Sequence, residues 1–381
     1  MPTGAGAIIV RFTRLALALA GGAIVTGAVL EGAARLAAPE QQRDTCAIAG
    51  SGGRFRANCT SAPMKLAEGP WLTNTTNDCG LRTAEPCRVR APGQLRVAVV
   101  GTSISRGHFV PYPDTWAARA TMALARRCRR PVDFQNLSIP RTMENGRPVW
   151  RTMTDRLGEA VALRPDAIVT VMTAVDLSMY PPGSSGAAAA SAPAPAATPA
   201  PAPHPSLKAR LVGLRQAVLT GSRAILLMRV WLNRDAPHFA DLYLQHGDDA
   251  DFLRAPLTPA WNDRLDLASG VFARVGATAK AAHVPWFVLL MPIYGQAALA
   301  AEPHHDGDPY LLGRSLGQRV EAAGGTFFDL TGDMARLHDL DRRYYLGDGH
   351  PNAAGSAVIA ARVEDLIRTG APAFAGCGTT S

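Results

Sequence analysis

At 381 residues and 47% hydrophobic content, the chain is long enough to bury one large core, or two smaller ones. Its formal charge of +8 comes from arginines spread along the chain, with no lysine-rich block and no interleaved aromatics. That distribution argues against a nucleic-acid partner and reads as a solvated basic surface.

The N-terminus carries Arg11 and Arg14, then an uncharged apolar run from Leu15 to Leu30, closed by "EGAARLAAP". With its flanking alanines the run approaches the ~20 residues of a bilayer-spanning helix. The preceding arginines orient it with its N-terminus in the cytoplasm, so residues 1–33 read as a single-pass inner-membrane anchor, with the rest periplasmic or extracellular. A cleaved signal peptide is the competing reading, although the Ala38–Pro39 junction makes a poor cleavage site. Gly21, Gly22 and Gly27 read as tolerated in lipid rather than as a dimer motif.

Residues 34–90 lack hydrophobic periodicity and hold four of the six cysteines, Cys46, Cys59, Cys79 and Cys87; Cys128 and Cys377 lie further on. A loop-rich segment held by disulfides in an oxidising compartment is expected. Cys46 with Cys59 and Cys79 with Cys87 are the local pairings, and Cys128 with Cys377 is what remains, though six cysteines allow 15 connectivities. No C-x-x-C pair or nearby histidine favours zinc instead.

From residue 91 the chain alternates strands and helices, which predicts a parallel sheet covered on both faces. Strands are expected at "LRVAVV", "VDFQNLS" and "DAIVTVMT", with a helix N-capped at Asp114 and another around "RTMTDRLGEAVAL". The pattern runs over 91–180, stops at an Ala/Pro-rich linker at 181–206, and gives way to a helical insertion at 207–258. Ordinary packing is the default for Leu207–Leu232, with a lid or a membrane contact as alternatives. Over 259–370 a helix from Pro259 to His283, the strand "VPWFVLLMP", a helix at "LLGRSLGQRVEAAG", the strand "TFFDL" and a terminal amphipathic helix complete the fold before a tail at 371–381. In that last helix Ile359, Val363, Leu366 and Ile367 share a face.

Two loops carry chemistry. "GTSISRG" follows the first strand, where the carboxyl end of a parallel sheet opens into a crevice, and Gly101 and Gly107 permit a tight turn with close backbone approach. Ser103 there is a candidate nucleophile. A serine needs a base and an oxyanion hole. "DGHPNAAG" supplies His350, with Asp348 two residues upstream to hold one imidazole nitrogen while the other faces the serine. A histidine that merely caps the following helix is the plainer reading.

Taken together, "GTSISRG", "NLSIP", "MTAVDL" and "DGHPNAAG", in this order, resemble the four blocks of the SGNH/GDSL hydrolase superfamily, particularly its membrane-anchored bacterial members. The likeness covers roughly residues 70 to 180 and 259 to 368 and takes in "NDCGLR" and "PDTW". It implies a flavodoxin-like three-layer α/β/α fold and acyl hydrolysis or transfer, with Ser103 as nucleophile, His350 as base and Asp348 as its partner. It also implies an oxyanion pocket, for which the N–H of Ser138 is the candidate donor, with Asn136 and Thr173 as compensating groups.

The departures are specific. Thr102 replaces the usual Asp, Arg141 stands where a second glycine is usual, and Val175 takes the place of the Asn whose side chain serves the oxyanion. Losing one such donor typically costs ~10²–10³ in rate. The expectation is therefore a serine esterase or O-acyltransferase acting on acyl, chiefly acetyl, esters of envelope or extracellular carbohydrate, within envelope polysaccharide machinery and without cofactor or metal. The alternatives are a catalytically degenerate glycan-binding or scaffolding protein, and a lipid or thioester hydrolase. His304, His305, Asp306 and Asp308 carry metal-ligand types in a polar loop without fixed spacing. His108 reads as a solvent-facing loop residue, and Asn58 and Asn74 lie in N-x-T sequences.

Overall fold

A computed structural model describes residues 4–51, 53–139, 156–178, 221–302 and 306–378. The linker at 181–206, Arg141, His304 and His305 lie outside the described residues.

Five parallel strands form one sheet: β1 Leu95–Val99, β2 Val132–Asn136, β3 Ala167–Met172, β4 Trp286–Leu290 and β5 Thr326–Asp329. Their order is β2-β1-β3-β4-β5, the flavodoxin-like order. Every residue of β1 to β4 is buried, which a strand achieves only when both faces of its sheet are covered. Two helix groups cover it. Trp116–Cys128 packs on β2 and on the terminal helix Ala353–Gly370, while Pro259–Ala281 packs with Leu157–Ala162 and Leu311–Ala322. The result is the expected three-layer α/β/α fold. In the terminal helix Ile359, Val363 and Ile367 are buried, while Leu366 is only half-buried at the edge of that face.

Helix Trp116–Cys128 starts one residue later than its sequence predicts. Thr115, not Asp114, is the N-cap, its hydroxyl accepting the Ala118 N–H; Asp114 closes a single 3-10 turn, Tyr112–Asp114, and pairs with Arg119 at 2.6 Å. Short helices at Ala236–Tyr243, within the expected helical insertion, and at Tyr294–Ala301 and Thr331–Ala335, which periodicity did not show, pack on one another around Tyr294–Ala301. They are too short and too rich in small residues to show a helical period.

Residues 41–90 contain isolated bridges rather than regular elements, and they cover the β2 edge that would otherwise be open. Asn77 donates to the Gln135 side chain at 3.0 Å, and Arg96, paired with buried Asp133 across β1 and β2 at 2.8 Å, also donates to the Cys87 carbonyl. Disulfides join Cys46 to Cys59, Cys79 to Cys87 and Cys128 to Cys377, the last tying the end of helix Trp116–Cys128 to the chain beyond the terminal helix.

The described residues fall into two compact units, of which the sheet and its helices form one. The other holds helix Gly4–Ala37 and helix Arg223–Leu232. Within it Leu17–Ala37 is long and apolar enough to cross a membrane, with mean hydropathy 1.6. Glu31 caps the second helix, accepting the Arg223 and Ala224 N–H groups at 3.0 Å. The expected insertion at 207–258 is therefore not one piece: Arg223–Leu232 belongs with the apolar helix, and the residues from Asn233 onward belong with the sheet.

Candidate active site

The site lies at the carboxyl ends of β1 and β3, where strand order reverses and a crevice is expected. Ser103 opens a four-residue helix, Ser103–Arg106, four residues after Val99 ends β1. That helix is anchored from several sides. The Trp116 indole N–H donates to the Ile104 and Ser105 carbonyls at 3.2 and 3.1 Å, and the Asn136 amide donates to the Ser105 carbonyl at 3.0 Å. Arg82, fully buried, donates to the carbonyls of Arg106, Gly107 and Val110, and so holds the turn that follows. Burial lowers the Arg82 pKa to about 10, which leaves it charged at neutral pH.

His350 comes from the loop before the terminal helix. Its Nε2 lies 2.8 Å from the Ser103 hydroxyl, and its Nδ1 is hydrogen-bonded to Asp348. The side chains of His350 and Asp348 are 21% and 29% exposed, so the pair opens to solvent. The loop is built for this. Gly349, at φ +89°, allows the turn, and the Tyr345 N–H donates to the His350 carbonyl at 2.9 Å. Asn352 caps the helix through the Ala354 and Gly355 N–H groups, so the histidine is not needed for capping. Glu68 accepts from the Leu346 and Gly347 N–H groups at 3.0 and 2.6 Å, and desolvation raises its pKa. Phe109 stands edge-on to the His350 ring at 5.9 Å, and its carbonyl accepts the Tyr345 hydroxyl.

With Nδ1–H donating to Asp348, the neutral imidazole presents a lone pair at Nε2 to the Ser103 proton. The arrangement can remove that proton as the oxygen attacks and return it to a leaving group.

The groups expected to serve an oxyanion have protein partners. The Ser138 N–H donates to the Asn136 side-chain oxygen at 3.1 Å, and the other end of that amide is engaged by Ser105. The Thr173 N–H donates to the Asp176 carboxylate at 2.8 Å. The Ser138 and Thr173 N–H groups and the Asn136 amide thus hold the loops, each buried where an unpaired amide is costly, while the Ser138 hydroxyl is buried without a hydrogen-bond partner. Gly101 and Gly107 are backbone accommodations rather than pocket walls: a Cβ on Gly101 would stand 2.1 Å from the Ser105 hydroxyl, and Gly107 sits at φ +67°. Val175 is 39% exposed. The Ser103 N–H, in a first helical turn, has no partner within the helix and is available to an oxyanion.

Several groups were not legible as site residues. Asp176 is buried, and burial raises its pKa to about 6 against the opposing Thr173 N–H. His108 is buried rather than solvent-facing, its ring 4.0 Å from that of Phe109. Burial, then the neighbouring Arg106, His350 and Arg82 charges, hold its pKa well below the usual range. Arg82, Glu68 and Trp116 left as their signals only the "NDCGLR" and "PDTW" stretches and a lone acid. Asn74 is buried with its amide on Asp44, so it offers no glycosylation acceptor in the folded chain, whereas Asn58 is exposed. Asp308 pairs with Arg314, and the one cluster of metal-ligand types among the described residues, Asp78, Cys79 and Cys87, has its two sulfurs joined to each other.

Fold and site together define an α/β protein with a hydrogen-bonded serine–histidine–aspartate set at the switch point of its sheet. No protein-family model and no curated protein match the chain. Among solved structures it is similar to the lipase/acylhydrolase from Enterococcus faecalis, at 12% identity and TM-score 0.37 over 72% of this chain and 95% of that one. It is also similar to the lipase Lip_vut3 from a goat rumen metagenome, at 11% identity and TM-score 0.36 over 71% and 96%.

Proposed function

We propose that the protein is a serine esterase or O-acyltransferase of the SGNH/GDSL type, anchored in the inner membrane with its site on the periplasmic or extracellular side. Its substrates are acyl esters, chiefly acetyl, of envelope or extracellular carbohydrate. The observation that carries the catalytic part is the 2.8 Å approach of His350 Nε2 to the Ser103 hydroxyl, with Asp348 on the far nitrogen. The carbohydrate part rests on compartment: an apolar N-terminal helix and three disulfides accord with an exported domain, which faces envelope and extracellular glycans.

In this reading Ser103 Oγ attacks the ester carbonyl as its proton passes to His350 Nε2. The tetrahedral oxyanion takes the Ser103 N–H, and collapse expels the alcohol with that proton to leave an acyl-enzyme. Water or a sugar hydroxyl, deprotonated by the same nitrogen, then releases the acyl group.

One observation favours a second reading, a fold retained for binding glycan or scaffolding an envelope assembly. Val175 presents methyl groups where an amide donor would act, and the Ser138 and Thr173 N–H groups are already engaged. A fluorophosphonate probe on the wild type and on Ser103→Ala separates the two. Labelling in the wild type alone supports the enzyme; labelling that never appears, or persists in the variant, removes Ser103 from the role. A preference for long-chain over acetyl esters would replace carbohydrate with lipid or thioester as the substrate class.

A further inference from the structure

Beside the site the chain forms a second concavity. A groove of about 560 Å³ is lined by Pro63, Trp71, Thr73, Thr75, Pro111 and Tyr112. Its floor is an extended stretch in which Trp71, Thr73 and Thr75 face outward while Leu72, Asn74 and Thr76 are buried. That alternation is imposed by antiparallel bridges, Met64 to Leu72 and Thr60 to Thr75. It leaves the Trp71 indole 54% exposed, with the Lys65 ammonium 5.9 Å from the ring centroid. Tyr112 forms part of the wall with its hydroxyl held by the Ala84 N–H, which leaves the ring face to the groove.

The groove is tied to the candidate active site through bonded and packed neighbours. Glu68, three residues before Trp71, holds the His350 loop through Leu346 and Gly347. Leu72, under the floor, packs in one cluster with Met64, Leu66, Phe109 and Tyr345, and Phe109 is the ring that meets His350 edge-on. The wall at Pro111 and Tyr112 continues directly from the loop that carries Ser103.

We propose that this groove is a saccharide subsite, holding the sugar units that flank the acylated one. A pyranose ring offers an apolar face of C–H groups and a rim of hydroxyls. An exposed indole matches the first, and two threonine hydroxyls with a nearby ammonium match the second. The proposal deepens the carbohydrate-ester reading and depends on it for the relation to Ser103.

The test is calorimetric, on the full chain in detergent, with xylotetraose, chitotetraose and a uronate tetramer as probes. At least one tetrasaccharide binds the wild type and Ser103→Ala alike. Binding weakens about tenfold or more in Trp71→Ala, and the aromatic replacement Trp71→Phe recovers most of it. Recovery by Trp71→Phe also guards against a misfolded alanine variant. Absence of binding by all three probes overturns the proposal, as does equal binding to Trp71→Ala, or binding of a proline-rich peptide in place of sugars. Serine labelling read in parallel separates the two ideas. Sugar binding without labelling supports the groove and removes the esterase, whereas labelling without sugar binding overturns the groove alone.

Discussion

Ser105 and Val171 exchange two hydrogen bonds: the serine hydroxyl donates to the Val171 carbonyl at 2.5 Å and accepts the Val171 N–H at 3.0 Å. The pair stitches the turn that carries Ser103 to β3 and consumes the second serine of "GTSISRG". The two serines should therefore separate cleanly. Ser103→Ala is expected to abolish fluorophosphonate labelling and to reduce ester turnover on the order of 10³-fold or more. Ser105→Ala should keep labelling but lose ~1–3 kcal/mol of stability in urea unfolding, because two buried backbone groups lose their partner. Labelling lost in Ser105→Ala and kept in Ser103→Ala would reverse the assignment.

In the proposed reaction Asp348 acts only through His350, to which it is hydrogen-bonded, so its replacement should resemble loss of the base. Asp348→Asn is expected to lower kcat by ~10²–10⁴, and the double variant Asp348→Asn with His350→Ala should fall no further than His350→Ala alone. Steady-state kinetics on a soluble acetyl ester measure both. An additive loss would mean that the two residues act separately.

Val175 is the departure that bears most directly on rate. If an amide donor is what the oxyanion lacks, Val175→Asn should raise kcat by about tenfold or more with little change in KM, since the bond is made only in the transition state. An unchanged kcat would show that backbone donors already suffice.

Two buried groups beside the site give stability a pH dependence of opposite sign. The raised Asp176 value means that its contribution is fully present below the unfolded value of about 3.9 and is lost as pH rises through about 6. Asp176→Asn should therefore stabilise the protein above pH 6, by at most about 3 kcal/mol, and not below pH 4. The depressed His108 value works the other way: its contribution is present above about 6.5 and falls away as pH drops below that. His108→Gln should flatten that acid limb. Thermal melts between about pH 4 and 8 read both, and parallel profiles for wild type and variants would contradict the assignment.

Arg82 spans the turn after the nucleophile by three carbonyls, a geometry that needs separate N–H groups on one rigid plane. Arg82→Lys is expected to slow fluorophosphonate labelling about tenfold through loss of positioning, while the probe's leaving-group dependence stays the same. A labelling rate equal to wild type would leave Arg82 a purely structural group.

Local periodicity determined the strands, because β1, β3 and β4 are short apolar runs bounded by turn residues and have no stable place outside a doubly covered sheet. Ser103, Asp348 and His350 were legible for a related reason: a serine after a first strand and an acid two residues before a histidine are local patterns. The tertiary structure decided what those patterns could not. Whether Ser138, Asn136 and Thr173 serve an oxyanion depends on where their donors go, and in the fold they go to Asn136, Ser105 and Asp176. Burial made His108 neutral, turned Asp176 into a high-pKa carboxyl, and recruited Glu68, Arg82 and Trp116 to hold the two loops. Hydrogen bonding and desolvation are properties of the packed environment, and residues up to 279 positions apart supply that environment only once the sheet has brought them together.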